Sequence, residues 1–521
     1  MTNVDAIGPI ESSAVCLPPT TLDGSSRDDT IEGLTREQRL ASGTRGTRVF
    51  IEAGPGTGKT TVSALRFGVE RFLPPARDDP RAVLAVSFTR SATWNLWRRV
   101  ERIWGPAAVV WPHRIVTLDT VMCDLLHDLL RCGMVHWPHG HQTLDVHDSW
   151  AAFSGSVWTR ADYQVKLQGS NLQLLRVFTR SQAARVEPNV ILPLLANGVC
   201  THGDVRDVLT QALEQPAVVE RLTNRLAVTT RSLIVDEVFD ANELDLQVIE
   251  LAISAGIAVT LVGDPWQALY LFRGARPEKV HDLLGRARVQ TMPLTRSFRW
   301  RTREQEELAN RLRAGESVTL SSDGDWHERS DVVLGLFWKP LWDVGPEVLP
   351  IAFQSFKGGV EEAAATLLLN HVTRNIFNED ATYLREALTA LAITDLELPR
   401  QLEDDLQAVV DLLRTPGREA LVRSYEALTR AMGRISPRQM RPAHHAHTER
   451  LADLSKRLRR PGRPVPGLTA HQAKGREWEI VSVRLAPSEQ AALEAGLSVE
   501  DDTHRKLYVA CTRARQETIA V

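Results

Sequence analysis

A chain of 521 residues is too long for a single hydrophobic core and requires several domains. Its 43% hydrophobic and 24% charged content is that of a globular protein, and no apolar run approaches the roughly 18 residues that a membrane helix needs. A net charge of −3 excludes a global electrostatic pull on nucleic acid, so any such binding must come from a local groove. Cys16, Cys123, Cys132, Cys200 and Cys511 stand far apart with no C-x-x-C pair, which argues against zinc, iron–sulfur clusters and a disulfide framework and fits the reduced cytoplasm.

Residues 1–33 form an acidic leader without the cationic start or apolar core of a secretory signal, and they are expected to be disordered. Thr35, with Gln38 three residues on, reads as the capped start of a helix. A β-rich run at 49–53 then breaks into Gly54-Pro55-Gly56-Thr57-Gly58-Lys59-Thr60-Thr61, a phosphate-binding loop. Its glycines let successive N–H groups point inward, and the helix that follows adds the positive end of its dipole. Lys59 is placed to reach the β- and γ-phosphates, and Thr60 to hold Mg²⁺ through its hydroxyl. Ala53 stands where the strict pattern has glycine, a position that tolerates a small residue.

A strand at 82–88 leads to a helix carrying Trp94, Trp97, Arg98, Arg99 and Arg102, and a third strand at 115–118 leads to a helix at 120–130. This alternation predicts a parallel sheet with helices on both faces. From 125 to 228 helical periodicity dominates without a convincing strand, and the strand rhythm returns at 233–235, 259–262 and 289–294. The expected organisation is α/β throughout: a first unit over 34–124 and 229–290 with a helical insertion at 125–228, and a second over 291–380 and 465–521 with a smaller helical insertion at 381–464.

The apolar strand ending in Asp236-Glu237 supplies what a phosphate-binding loop needs opposite it. Asp236 is the candidate Mg²⁺ ligand, and Glu237 the group that orients and deprotonates the attacking water. After the next strand, Gln267 reads as a γ-phosphate sensor. Tyr270 and Phe272, with Arg273 beside them, are candidates to face unpaired bases, although aromatics at that spacing more often pack in a core.

Taken in order, these stretches resemble the motifs of superfamily 1 DNA helicases of the UvrD/Rep/PcrA type. Gln38 stands where the family's adenine-reading glutamine stands. Ser87-Phe88-Thr89-Arg90-Ser91-Ala92 resembles the motif whose phenylalanine stacks on single-stranded DNA and whose hydroxyl meets the backbone, and Thr117-Leu118-Asp119-Thr120 resembles the next DNA-contacting stretch without its aromatic and histidine. Leu294-Thr295-Arg296-Ser297-Phe298-Arg299 is similar to the Asn-Tyr-Arg-Ser motif, which makes Phe298 the adenine-stacking ring and Arg299 a γ-phosphate finger. In the stretch from Thr469 through His471 and Lys474 to Trp478, the resemblance gives Thr469 and His471 to DNA and Glu477 to the nucleotide sugar; in Leu507 to Arg515 it makes Arg513 the second finger.

The resemblance implies two RecA-like P-loop motor domains that close on ATP and Mg²⁺ while moving on single-stranded DNA, 3′ to 5′, in the cytoplasm, with DNA junctions as substrates and no membrane. It leaves room for a protein partner such as a nuclease or repair factor. In that variant the chain is a DNA-stimulated ATPase subunit of a repair or anti-phage assembly, similar to the helicase half of Gabija-type pairs. A nucleotide-sensing DNA-binding regulator is the reading of another class, against which the hydrolytic groups Glu237, Arg299 and Arg513 count. Three departures stand out. Phe239 replaces the glutamine of the family's Asp-Glu-x-Gln-Asp, the second insertion is short, and no nuclease-like stretch follows Arg513. His136, His139 and His141 beside Cys132, and His444, His445 and His447, read as polar loop histidines rather than metal sites. The run Lys456, Arg457, Arg459, Arg460 and Arg463 reads as a solvated helix end.

Overall fold

The computed structural model describes residues 33–72, 79–322, 324–393 and 401–521. The leader, except Gly33, lies outside them, as do the side chains of His445 and His447. Sixteen strands are present among the described residues: β1 Arg48–Ala53, β2 Ala82–Ser87, β3 Arg114–Thr117, β4 Asp145–His147, β5 Val157–Gln168, β6 Asn171–Arg185, β7 Val199–Thr201, β8 Thr230–Asp236, β9 Ala258–Gly263, β10 Gln290–Leu294, β11 Ser321–Ser322, β12 Val332–Gly335, β13 Val348–Pro350, β14 Val465–Thr469, β15 Trp478–Val483 and β16 Ala514–Ala520.

Two six-stranded parallel sheets organise them, in the orders β10-β1-β9-β8-β2-β3 and β11-β16-β15-β12-β14-β13. The central strands β2 and β8 are buried along their whole length, which is why Ala82–Val86 and Leu233–Val235 read as apolar runs rather than alternating ones. Helices α1 Arg36–Gly43, α2 Lys59–Phe72, α3 Arg90–Trp104 and α4 Leu118–Arg131 follow or precede the early strands of the first sheet. Each is set by its local sequence: Thr35 and Gln38 close a reciprocal capping box on α1, and Thr89 and Thr117 cap α3 and α4 through their hydroxyls.

The structure departs from the sequence reading in three places. Strand β10, placed by the sequence reading across the boundary at 290, pairs in register with β1 from Val49↔Gln290 to Ala53↔Leu294, because β1 would otherwise present an open edge. The first unit therefore extends at least to Leu294. The stretch 125–228, expected to be helical, contains helices Pro188–Ala196, His202–Ala212 and Pro216–Thr229, but also the long antiparallel hairpin β5–β6 and the short pair β4–β7. Buried or half-buried Ala161, Tyr163, Val165 and Leu167 alternate there with exposed Arg160, Gln164, Lys166 and Gln168, a period-two signal masked by its polar outer face. Finally, Arg457 is not solvated. It is buried over the Trp342 ring, 4.3 Å from its centroid, and donates to the carbonyls of Val348, Trp342 and Gly345.

One apolar core underlies the first sheet and its insertion, and a second underlies the other sheet. A third, between Val360–Phe377 and the helices Leu384–Ala390, Glu403–Leu413, Arg418–Ile435 and His445–Leu458, holds the region 381–464 together. No helix among the described residues is long and apolar enough to cross a membrane.

Candidate functional site

In a parallel sheet the carboxyl ends of all strands lie along one edge, where ligands gather. The order of the first sheet therefore lines up the stretches after β10, β1, β9, β8, β2 and β3 side by side. These are residues 295–299, 54–60, 264–267, 236–240, 88–90 and 117–119. The candidate nucleotide groups fall at one end of that row and the candidate DNA groups at the other.

Between β1 and α2 the loop turns through Gly56 at φ 73° and Gly58 at φ 87°, backbone that a side chain rarely adopts. Space forbids one as well: a Cβ at Gly56 would lie 2.5 Å from Ser297 Oγ, and one at Gly58 would lie 2.6 Å from Gln38 Nε2. Gln38 Nε2 donates to Thr57 O at 2.9 Å, so the residue expected to read adenine is held against the loop. The stretch after β10 docks on the same loop: Phe298 N donates to Gly56 O at 2.9 Å, Ser297 Oγ to Pro55 O at 2.9 Å, and Thr295 N to Glu37 Oε2 at 2.7 Å. Phe298 is left half exposed beside it, with the Arg296 guanidinium over its ring.

Lys59 is buried and folds back onto its own loop, donating to Ala53 O at 3.0 Å and Gly54 O at 3.3 Å. Burial lowers its proton affinity, a loss that Glu237, Asp264 and Asp236 partly offset. Arg513 is also buried and donates to Val509 O at 2.9 Å; burial and the neighbouring Arg299 lower its proton affinity well below that of an ordinary guanidinium. Neither cation has a carboxylate within 4 Å among the described residues. Buried charges are ordinarily paired, so two buried cations with no direct ion pair suit the binding of an anion beside the loop. Arg299 differs: its Nε donates to Glu477 Oε2 at 3.0 Å and its Nη1 to Thr512 O at 2.8 Å, and Glu477 is shared with Arg515 at 2.5 Å.

Asp236, at the end of β8, and Glu237, in the left-handed region at φ 60°, face the loop. Burial and the adjacent Glu237 push Asp236 up to about 7. Burial opposes ionisation of Glu237 too, but Lys474 and Lys59 outweigh it and hold this carboxyl below its usual range. Gln267, expected to sense the γ-phosphate, is buried with its Nε2 on Asp264 Oδ2 at 2.7 Å. Hard oxygen donors from Thr60 and Asp236 line one cleft, which fits Mg²⁺, and the turn at Gly56 and Gly58 is a cradle that a Cβ would fill.

Sequence reasoning missed two groups. Lys474, from the loop after β14, reaches into the first unit: its Nζ lies 2.5 Å from Asp240 Oδ2, 3.4 Å from Glu237 Oε2 and 2.8 Å from Gln267 O. Burial opposes its charge, but Asp240 and Glu237 prevail and raise its proton affinity. Arg313, on the helix Arg303–Arg313 that packs on β16, reaches Asp264 Oδ1 at 3.0 Å and Glu52 Oε1 at 3.6 Å beside Gly54. Phe239, by contrast, does not face the cleft. It is buried edge-on against Phe50, with ring centroids 6.0 Å apart.

A cavity of about 560 Å³ is lined by Thr60, Asp236 and Glu237 and also by Phe88, Thr89, Tyr270 and His471, with Lys474 among them. A neighbouring one of about 320 Å³ adds Asp119 and Arg273. His471 Nε2 sits 2.9 Å from Leu269 O, and its ring lies 5.2 Å from that of Phe272, which is 72% exposed. Tyr270 is thus a half-buried ring lining the cleft and Phe272 an exposed ring against His471, and neither belongs to an apolar core. Three candidates are otherwise engaged. Arg90 pairs with Asp148 of the insertion at 2.5 Å, Thr117 caps α4, and Thr469 is buried.

Phosphate loop, carboxylate pair and buried arginines thus lie together at a cleft between two parallel α/β units. Residues 34–286 match the family model of the UvrD/REP helicase N-terminal domain. DNA helicase II of Salmonella typhimurium is 22% identical over 367 residues, 64% of this chain, and the chain spans only 45% of that relative's length. The solved Pif1 helicase of Candida albicans superposes over 93% of this chain and 94% of its own with a TM-score of 0.32 at 10% identity, too loosely to position any residue.

Proposed function

We propose that the chain is an ATP-driven motor that moves on single-stranded DNA, 3′ to 5′, and separates strands at DNA junctions. The observation that carries this reading is the single cleft lined by the hydrolytic carboxylates and by Phe88, Tyr270 and His471, with Lys474 between them. The family match and the ordered motifs support it.

In this reading Gln38 and Phe298 hold the adenine, and Glu477 leaves Arg299 for the nucleotide sugar. Lys59 exchanges its two loop carbonyls for the β- and γ-phosphates. Thr60 and Asp236 would hold Mg²⁺, which when bound would further neutralise those phosphates. Glu237 accepts a proton from the water that attacks the γ-phosphorus; the bond to the β-γ bridging oxygen breaks, and ADP and phosphate leave. Arg299 and Arg513 neutralise charge that develops on the transferred group. Both belong to the second unit or its junction, so they do this only while the two units are closed. Lys474 then ties hydrolysis to DNA, since it contacts Glu237 and Asp240 and lies 5.5 Å from the centre of the Tyr270 ring. Phe88, Tyr270, Phe272 and His471 offer faces for bases, with Thr89 and Arg273 near the backbone.

Strand displacement on 3′-tailed, 5′-tailed and blunt duplexes tests the proposal. Displacement of the 3′-tailed substrate alone is expected; displacement confined to the 5′-tailed one contradicts the polarity. ATP turnover without displacement of any substrate leaves only the ATPase subunit that needs a partner to unwind.

A further inference from the structure

Helix α3 carries groups that the motor chemistry leaves unused. Its first turns line the cleft through Ser91, Ala92 and Asn95 beside Phe88. By helical spacing the Ser91–Asn95 face continues to Arg98 and Arg102, the last about 10 Å beyond Asn95. Arg98, Arg99 and Arg102 are exposed, and none has a carboxylate within ion-pair distance among the described residues, whereas Arg90 at the helix start is paired. In a chain of net charge −3 this is a local excess of free cations.

One residue before Asn95 and one turn before Arg98 stands Trp94, 54% exposed. Its ring lies flat on that of Trp97, with centroids 4.9 Å apart and planes 8° from parallel, and Trp97 in turn packs against the core formed by Val100, Leu96 and Phe67. Trp94 is therefore a rigid platform with one face open to solvent. Burial does not explain it, since most of its surface stays wet.

We propose that this face of α3 is an outlying track for single-stranded nucleic acid leaving the cleft, in which a base stacks on Trp94 and Arg98 and Arg102 hold backbone phosphates. The proposal rests on the DNA reading of the cleft and extends it. A held aromatic plane followed by free guanidinium groups one and two turns along matches the alternation of base and phosphate. An acidic peptide would use the charges but has no need of the plane.

The test uses the full chain and two labelled homopolymeric oligonucleotides, one just long enough to saturate ATPase stimulation and one several nucleotides longer. Trp94→Ala is expected to weaken the longer oligonucleotide about tenfold and to leave affinity for the shorter one and its ATPase stimulation unchanged, while Trp94→Phe retains most of the affinity. Arg98→Gln with Arg102→Gln is expected to reduce the salt slope for the longer oligonucleotide by about 1.4, at about 0.7 for each phosphate that is no longer neutralised. Unchanged binding of the longer oligonucleotide by both variants overturns the α3 track alone. Polyglutamate competing as well as the oligonucleotide does so too. A wild-type chain that binds neither oligonucleotide overturns the DNA reading together with the track.

Discussion

Arg513→Ala is expected to lower ATP turnover by about 10³- to 10⁵-fold, with the KM for ATP changed far less. The reason lies in its surroundings. The guanidinium is 1% exposed, has no carboxylate within 4 Å among the described residues and sits beside Arg299, so its charge is costly until an anion arrives. A γ-phosphate supplies that anion, and the gain is largest where negative charge grows in the transition state. The same logic provides a control for folding. Removing a buried cation that has no direct ion pair should leave the melting temperature of the nucleotide-free chain at or above that of the wild type. Rapid single-turnover measurements separate the hydrolytic step from binding; turnover within tenfold of wild type would remove Arg513 from the reaction.

Glu237→Gln is expected to slow hydrolysis by about 10²- to 10⁴-fold while ATP still binds. Glutamine keeps the shape of the side chain but cannot accept the proton of the attacking water. The substitution also loosens the second unit, because Lys474 loses the charge 3.4 Å away while keeping Asp240 at 2.5 Å. Binding of a fluorescent ATP analogue, measured beside phosphate release, distinguishes the two effects. Unimpaired phosphate release would assign the proton transfer to another group.

Much of this was legible in the sequence, for physical reasons that vary by element. The strands β1, β2 and β8 are covered on both faces, and their short apolar runs could not be mistaken for solvated segments. The loop at 54–60 and the pair Asp236-Glu237 are contiguous, so their chemistry could be read without knowing what lies opposite. The hairpin β5–β6 was hidden because one of its faces is wet and rich in Arg, Lys and Gln, which imitate a polar helix over short windows. Lys474 stood in a recognised stretch, but its role depends on Asp240, 234 residues away in sequence. Arg313 gave no signal, being one arginine of several in its helix. Phe239, judged from its motif, reads as a change at the cleft. The structure turns it into the core against Phe50, and it is Lys474 that joins Asp240 and Glu237 to the Tyr270 ring.

The central claim is that hydrolysis at the loop is driven by DNA in the adjoining part of the same cleft. The most direct measurement is the steady-state ATPase rate with and without single-stranded DNA, for the wild-type chain and for Lys59→Ala. Stimulation by single-stranded DNA in the wild type and no activity above background in Lys59→Ala is the predicted result. ATP hydrolysis indifferent to single-stranded DNA, or surviving Lys59→Ala, would contradict it.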